Sequence, residues 1–175
     1  MLRRIAVLVL AGLCLPAAAK DTPRWQKSPA ELAASVAMVR AGEDLTPALW
    51  PNGARVAVAL SFDVDTELVW LADEGVESPS TMSRGEYGAR VGLPRVLALL
   101  AKHDIPASFF VPSMSMEMHP GIVPAIKADP RHEIGFHSYA HENPLALTPA
   151  DERAAYEKGL ALFEKHVGAR PAGFR

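Results

Sequence analysis

Two carboxylates occur in a short segment at a spacing that suits acid–base or metal chemistry. Residues 61–67 contain Asp63 and Asp65 at positions i and i+2. Side chains two residues apart on an extended chain project to the same side, so both carboxylates would face one site. One of them can bind a cation while the other stays free as a general base.

Two imidazoles occur in a second segment at a spacing that suits metal binding. His137 and His141 stand at positions i and i+4, and on one helical turn both rings would face the same way. Together with one aspartate they form a set of two histidines and one carboxylate, which leaves coordination positions open for water and substrate. The spacing therefore predicts a catalytic metal site.

Neither motif is decisive by itself, because acidic pairs often serve as turn or cap residues and a lone HxxxH spacing arises by chance. Their occurrence at the ends of two predicted strands favours a metal site. A rival hypothesis is an iron(II) oxygenase, which also uses two histidines and one carboxylate. In that class the carboxylate usually follows the first histidine closely, whereas here Asp65 precedes a close pair, so the order favours a hydrolytic zinc-type site.

The elements that position these residues follow from the hydrophobic pattern. Short apolar runs predict buried strands, and apolar residues at helical spacing predict helices. The predicted strands are 55–63, 105–111 and 133–137. The predicted helices are 91–103, 121–128 and a third that begins at the N-cap Thr148 and runs to about His166. Residues 67–90, rich in glycine, serine and charge, predict a long loop.

Strands that alternate with helices indicate parallel β-α units, hence an α/β sheet or a (β/α) barrel with its site at the carboxyl ends of the strands. Both motifs fall at such ends. The composition, 49% hydrophobic and 22% charged over 175 residues, is typical of one globular domain. The net charge of -2 contains no long basic run, so nucleic acid is excluded as a partner.

The N-terminal residues predict export. Arg3 and Arg4 precede an apolar run at 5–15 and small residues at 16–19, the order of a cleavable signal peptide with cleavage after Ala19. The run is shorter than the roughly 20 residues that span a bilayer, so we expect no stable membrane anchor after cleavage and a periplasmic or secreted protein. The lone cysteine, Cys14, lies inside this segment, which excludes disulfides and thiol catalysis from the mature chain.

Residues 20–54 are predicted to form an N-terminal arm with one helix over 29–41. Ser28 is its predicted N-cap, and Gly42 is its predicted stop.

Three segments in order resemble the motifs of the polysaccharide deacetylases, the NodB-homology family. They are 61–65 (SFDVD), 137–141 (HSYAH) and 170–175 (RPAGFR), and they cover a domain over 55–175. The resemblance implies an incomplete, distorted (β/α) barrel of NodB type, of which this chain would be the N-terminal part.

The resemblance also implies roles for individual residues. Asp63 would be the general base, and Arg175 would orient it. Asp65, His137 and His141 would hold a divalent metal ion, and Zn²⁺ is the expected ion. The cation would polarise an amide carbonyl while Asp63 accepts a proton from the attacking water.

The implied activity is hydrolysis of a non-peptide C–N bond, foremost N-deacetylation of a carbohydrate polymer, so an N-acetylated glycan is the expected partner. Val64 separates the two aspartates, and Glu67 and 84–88 (RGEYG) follow, as in a branch that includes cyclic-amide hydrolases and some peptidoglycan deacetylases. Ring opening of a small cyclic amide or imide is therefore an alternative.

A non-catalytic metal- or glycan-binding module is a second alternative, because the family's acid histidine belongs to a motif that would lie beyond Arg175. The other histidines are predicted to be surface or loop residues: His103, His119, His132 and His166. Trp70 is the predicted stacking residue for a sugar or other ring.

Overall fold

The computed structural model describes residues 26–37, 42–74 and 77–175. The chain divides into two compact units, with the boundary between Leu49 and Trp50. The predicted signal peptide, Cys14 and residues 38–41, where the first helix was predicted to end, lie outside the described residues.

The first unit contains helix α1 (Pro29–Ala37), which begins where the sequence predicts. The Glu31 backbone N–H donates to Ser28 Oγ at 3.3 Å, and the Ser28 N–H donates to Glu31 Oε2 at 2.7 Å. This reciprocal pair is a capping box, which satisfies backbone donors that have no partner inside the helix. The predicted N-cap is confirmed.

The second unit is built on a parallel sheet. Strands β1 (Ser61–Asp63), β2 (Ser108–Val111) and β3 (Glu133–Phe136) lie in the order β1-β2-β3. Ser61 pairs with Ser108, and Ser108 pairs with Glu133. The carboxyl ends of all three strands therefore meet at one edge of the sheet, and the predicted parallel α/β arrangement is confirmed.

All three strands are shorter than predicted, and β1 differs most. Residues 55–60 are not strand, and Val56 and Val58 are 71% and 78% exposed. Extending the β1–β2 register by two residues would place Ala59 opposite Pro106, which has no N–H to donate. The hydrogen bond from the Ser108 N–H to the Leu60 carbonyl, at 3.0 Å, is therefore where this pairing starts.

The helices of the second unit lie between and after the strands. They are α2 (Pro79–Tyr87), α3 (Leu93–His103), α4 (Ser113–Met118), α5 (Ile122–Lys127) and α6 (Pro149–Val167). Short 3-10 turns cover Pro51–Gly53 and Pro144–Ala146, and wider π-helical turns cover Val69–Glu74 and Gly88–Gly92. The three predicted helices are confirmed as α3, α5 and α6, whereas α2 and α4 were not predicted.

The prediction of a long loop over 67–90 was wrong, because much of this segment is helical. The Ser78 hydroxyl accepts the Thr81 N–H at 3.2 Å and caps α2, with Pro79 in the first turn. Glycine lowers helix propensity, which hid the helix from sequence analysis. Gly85 is required by packing, since a Cβ there would lie 2.5 Å from the Glu67 Cα.

The core lies between the sheet and the helices. Phe109 and Val111 of β2, Met116 of α4 and Phe163 of α6 are fully buried. Helix α6 begins at the predicted cap, where Thr148 Oγ1 accepts the Asp151 N–H. Among the described residues, no helix combines the length and apolar character needed to cross a bilayer.

Candidate metal centre

Three predicted ligands meet at the carboxyl edge of the sheet. One ligand atom each from Asp65, His137 and His141 lies within 4.8 Å of the others. His137 Nε2 is 3.4 Å from Asp65 Oδ1, and His141 Nε2 is 3.8 Å from Asp65 Oδ2. The three side chains are about a fifth exposed, so the group is sheltered but open on one side.

The two histidines meet without the helical turn that the spacing predicted. Residues 138–140 form a turn after β3, and Ser138 and His141 both have a φ of 63°. Ser138 Oγ accepts the His141 backbone N–H at 2.9 Å, which closes the turn. The imidazole rings still lie 5.2 Å apart, so the expected conformation was wrong while the rings do come together.

The His137 ring is oriented by the main chain of Arg175. His137 Nδ1 lies 2.5 Å from the Arg175 main-chain oxygen. That oxygen only accepts hydrogen bonds, so Nδ1 is the protonated nitrogen. In a neutral ring Nε2 then keeps its lone pair, and Nε2 is the nitrogen that faces Asp65. A histidine held in this way by a backbone oxygen is typical of metal sites.

Asp63 lies beside this group and is held by Arg175. Arg175 Nη1 donates to Asp63 Oδ1 at 3.1 Å and to Ser61 Oγ at 3.0 Å. The main chain at Arg175 is placed by pairing with β3, since the Phe136 N–H donates to the Gly173 carbonyl and the Arg175 N–H donates to the Phe136 carbonyl. The roles predicted for Asp63 and Arg175 remain predictions.

Two cavities adjoin the centre. One, of about 360 Å³, is lined by His137 and His141 together with Tyr156, Phe174 and Arg175. The other, of about 350 Å³, contains Trp70. Phe62 stacks on Phe109 in that second cavity, whereas the neighbouring Asp63 side chain bonds to Arg175. Asp63 and Asp65 also line this second cavity, so Trp70 shares it with the two motif carboxylates.

His119 and His132 lie in loops, as predicted, whereas His166 lies in α6; all three are partly buried and bonded. His119 Nε2 lies 2.8 Å from Glu67 Oε2, and His166 Nε2 lies 2.6 Å from Glu117 Oε2. His132 Nδ1 accepts the Ala107 N–H at 3.1 Å. His103 is exposed, as predicted.

Sequence reasoning also missed polar residues that support the Asp65 loop. Ser115 Oγ donates to the Asp65 main-chain oxygen at 3.0 Å and lies 2.9 Å from Thr66 Oγ1. These partners are 50 and 49 positions apart in the chain, so no local spacing signals the contact.

A family model described as polysaccharide deacetylase matches residues 73–175, which is more than half of the chain. The chain belongs to the polysaccharide deacetylase family. The matched range includes His137, His141 and Arg175 and begins after the segment of Asp63 and Asp65.

Individual members of the polysaccharide deacetylase family resemble this chain in sequence and in structure. A peptidoglycan deacetylase from Helicobacter pylori is 38% identical over 120 residues, which are 68% of this chain and 41% of that protein. A crystal structure from Mycobacterium smegmatis, assigned to the polysaccharide deacetylases, has a TM-score of 0.65 and 36% identity, covering 75% of this chain and 48% of that one.

A crystal structure of an allantoinase also shares the fold, with a TM-score of 0.63 and 26% identity, over 71% of this chain and 48% of that one. The chain thus spans two fifths to half the length of these relatives. Its fold is part of the NodB-type (β/α) barrel of the polysaccharide deacetylases, as the sequence predicted.

Proposed function

We propose that this chain carries the metal centre and general base of a hydrolase that removes N-acetyl groups from a carbohydrate polymer, with peptidoglycan as that polymer. The observation that carries the proposal is the group of Asp65, His137 and His141, with Asp63 held beside it by Arg175. The Helicobacter relative, whose name states that it deacetylates peptidoglycan, supports the choice of polymer.

The donor set fits a divalent cation, and we propose Zn²⁺. Two imidazole nitrogens and one carboxylate are ligands that Zn²⁺ prefers, and three protein ligands leave positions open for catalysis. His137 directs Nε2 into the group because its Nδ1 is engaged by the Arg175 main chain. A bound cation would supply Lewis-acid polarisation of the amide carbonyl and make water more acidic.

The chain's own residues account for the general-base half of the reaction, whereas the family resemblance assigns protonation of the leaving amine to a histidine of a later motif. Asp63 accepts the proton of the water that attacks the amide carbonyl, as a general base. Arg175 holds the Asp63 carboxylate in place, and Ser61 accepts a second hydrogen bond from the same guanidinium nitrogen. The cavity beside His137, His141 and Tyr156 is where we place the substrate.

Acetate release tests the proposal. The full chain, loaded with Zn²⁺, is offered N-acetylated peptidoglycan fragments, and released acetate is measured. Asp63→Asn is expected to lower the rate by about 100-fold or more, because the amide cannot take up the proton. An unchanged rate in this variant would remove Asp63 as the base. Metal binding without any acetate release by the parent would favour a non-catalytic binding module.

Ring opening of a small cyclic amide is a second candidate, favoured by the allantoinase structure that shares the fold. Both reactions hydrolyse a C–N bond and would use the same residues. A cyclic ureide offered in parallel with the glycan separates them, because consumption of the ureide with no acetate release would select the second candidate.

We also propose that the protein acts in the periplasm or outside the cell, where peptidoglycan is accessible. The basic, apolar and small-residue order of positions 1–19 supports this. Cell fractionation with the N-terminal sequence of the recovered protein tests it, and a cytoplasmic protein that retains Met1 would refute it.

A further inference from the structure

Helix α4 lies between the two loops that carry the metal ligands and contacts both. Its first two backbone N–H groups belong to Ser113 and Met114, and they donate to the carbonyls of Ser138 and Tyr139 at 3.1 and 2.9 Å. These N–H groups have no partner inside the helix, so the histidine loop supplies the acceptors. The position of the histidine loop is thereby tied to α4.

The same helix holds the Asp65 loop through Ser115. The Ser115 side chain is fully buried, and its hydroxyl donates to the Asp65 main-chain oxygen at 3.0 Å. A hydroxyl has one proton to donate, so the 2.9 Å contact with Thr66 must have Thr66 Oγ1 as the donor. A directed chain of hydrogen bonds thus runs from Thr66 to Ser115 to Asp65.

The Asp65 loop needs such support because its backbone is strained. Thr66 has a φ of 59°, a conformation that is unfavourable for a β-branched residue and persists only where its surroundings impose it. The next residue, Glu67, is 8% exposed, and its side chain bonds to His119 at the carboxyl end of α4. Both ends of the helix therefore contact this segment of the chain.

We infer that α4 is a brace that sets the distance between Asp65 and the histidine pair, and that Ser115 is its positioning residue. The inference rests on the proposed metal centre and extends it to residues that touch no substrate. Each strand ends before its ligands, so the strands alone do not fix how the two loops face each other. Helix α4 bonds to both loops and therefore fixes how they face each other.

The chain offers a matched control for Ser115. Ser113 lies on the same helix, is equally buried, and donates its hydroxyl to the Gly159 carbonyl of α6 instead of to the Asp65 loop. Ser115→Ala removes two buried hydrogen bonds, one to the Asp65 main chain and one from Thr66, and Ser113→Ala removes one, so both variants should lose folding stability and the first somewhat more. Only the first variant removes a bond to a ligand loop.

Zn²⁺ affinity of the full chain, measured by competition with a chromophoric chelator, tests the inference. We expect Ser115→Ala to raise the Kd about tenfold to a hundredfold, as loss of an outer partner of a metal ligand does. Ser113→Ala should leave it within about twofold of the parent. Equal effects of the two variants, or an unchanged Kd in a folded Ser115→Ala protein, would overturn the inference.

A second pair of variants, at Thr66, tests the inference if Ser115→Ala does not fold. Thr66→Ala removes the hydroxyl that donates to Ser115, whereas Thr66→Ser keeps it, and both remove the β-branch. We expect weaker Zn²⁺ binding only in Thr66→Ala. Equal affinities in the two variants would overturn the inference.

Hydrogen exchange supplies a measurement without metal. The Leu68 N–H donates to the Asp65 main-chain oxygen that Ser115 also contacts, so its exchange should be faster in Ser115→Ala and unchanged in Ser113→Ala. If the parent takes up no Zn²⁺, the proposed metal centre is refuted, and the role of α4 is then tested by this exchange measurement alone. Equal exchange in both variants would refute it.

Discussion

Arg175 connects three parts of the site at the scale of single residues. Its main-chain oxygen orients His137, its guanidinium bonds to Asp63 and Ser61, and its Cζ lies 5.3 Å from the centre of the Phe110 ring. The main-chain contact does not depend on the side chain. Mutation of the Arg175 side chain alone therefore separates its two contacts, one with the proposed ligand His137 and one with the proposed base Asp63.

The histidine pair leads to a prediction about metal content. We expect the His137→Ala, His141→Ala double variant to lose stoichiometric Zn²⁺ binding, because only one of the three ligands remains. His103→Ala is the control, since His103 is exposed and lies outside the group. Metal content after dialysis, measured by atomic emission, checks this. Retention of a full equivalent by the folded double variant would contradict the assigned site.

At the scale of elements, α6 is held against the sheet and α4 by close contacts. A Cβ at Gly159 of α6 would lie 2.7 Å from Phe136 Cζ and 3.1 Å from the Tyr139 Cα. Phe136 is almost fully buried and also packs on Phe163. Since neither neighbour can move freely, glycine is required at this position by packing.

Two glycine variants should therefore have opposite effects. Gly159→Ala should destabilise the fold by about 1–3 kcal/mol through overpacking, although alanine favours helix. Gly88→Ala should be neutral or stabilising by up to about 1 kcal/mol. Gly88 has helical φ and ψ of -54° and -50°, and a Cβ there would meet nothing within 4 Å. Urea denaturation of both variants measures the difference, and effects of the same sign would count against this packing.

Helix α4 is also joined to α6 by ion pairs that depend on pH. Lys165 Nζ lies 2.9 Å and His166 Nε2 lies 2.6 Å from Glu117 Oε2. Hydrogen bonds from Lys165 first and His166 second hold the pKa of Glu117 below its ordinary value. A carboxyl with a lowered folded pKa adds stability above its ordinary pKa, and that stability is lost as the pH falls through the lowered value.

Glu117→Gln should accordingly lower the melting temperature slightly at about pH 7, and this difference should shrink as the solution is made acidic. The effect is small because the pair is largely exposed to solvent. Melting curves of parent and variant across the acidic range check this. A difference that grows with acidity would mean that the pairs do not stabilise the folded state.

At the scale of the whole molecule, one edge of the sheet has no strand partner among the described residues. Within the described ranges, β1 pairs with β2 on one side and has no strand partner on the other. Val56 and Val58 precede it and are largely exposed. An edge strand next to exposed apolar side chains is a template for pairing with another chain.

We expect the protein to self-associate at high concentration through this edge, and Val58→Lys to reduce that association because a charge opposes pairing. Size-exclusion chromatography over a range of concentrations measures it. One monomer peak for the parent at every concentration would contradict the prediction.

The sequence by itself determined the features that depend on local chemistry. The caps at Ser28 and Thr148, the helical spacing of 91–103 and the order of strands and helices follow from neighbouring residues. The structure contains the caps and the order, and it places the helix at Leu93–His103. The motif residues Asp63, Asp65, His137, His141 and Arg175 were identifiable because their spacing resembles that of a family. Local patterns are readable since hydrogen bonds and propensities act over a few residues.

Only the tertiary structure decided where the strands begin and end and which distant residues support the loops of the site. The start of β1 depends on Pro106, which lies two residues before β2. The left-handed turns at Thr66 and His141 are tolerated because surrounding bonds impose them. Ser115 and His119 meet the Asp65 loop from positions 50 and 52 residues away. Such contacts form only when the chain is folded, because parallel strands bring distant loops to one edge of the sheet.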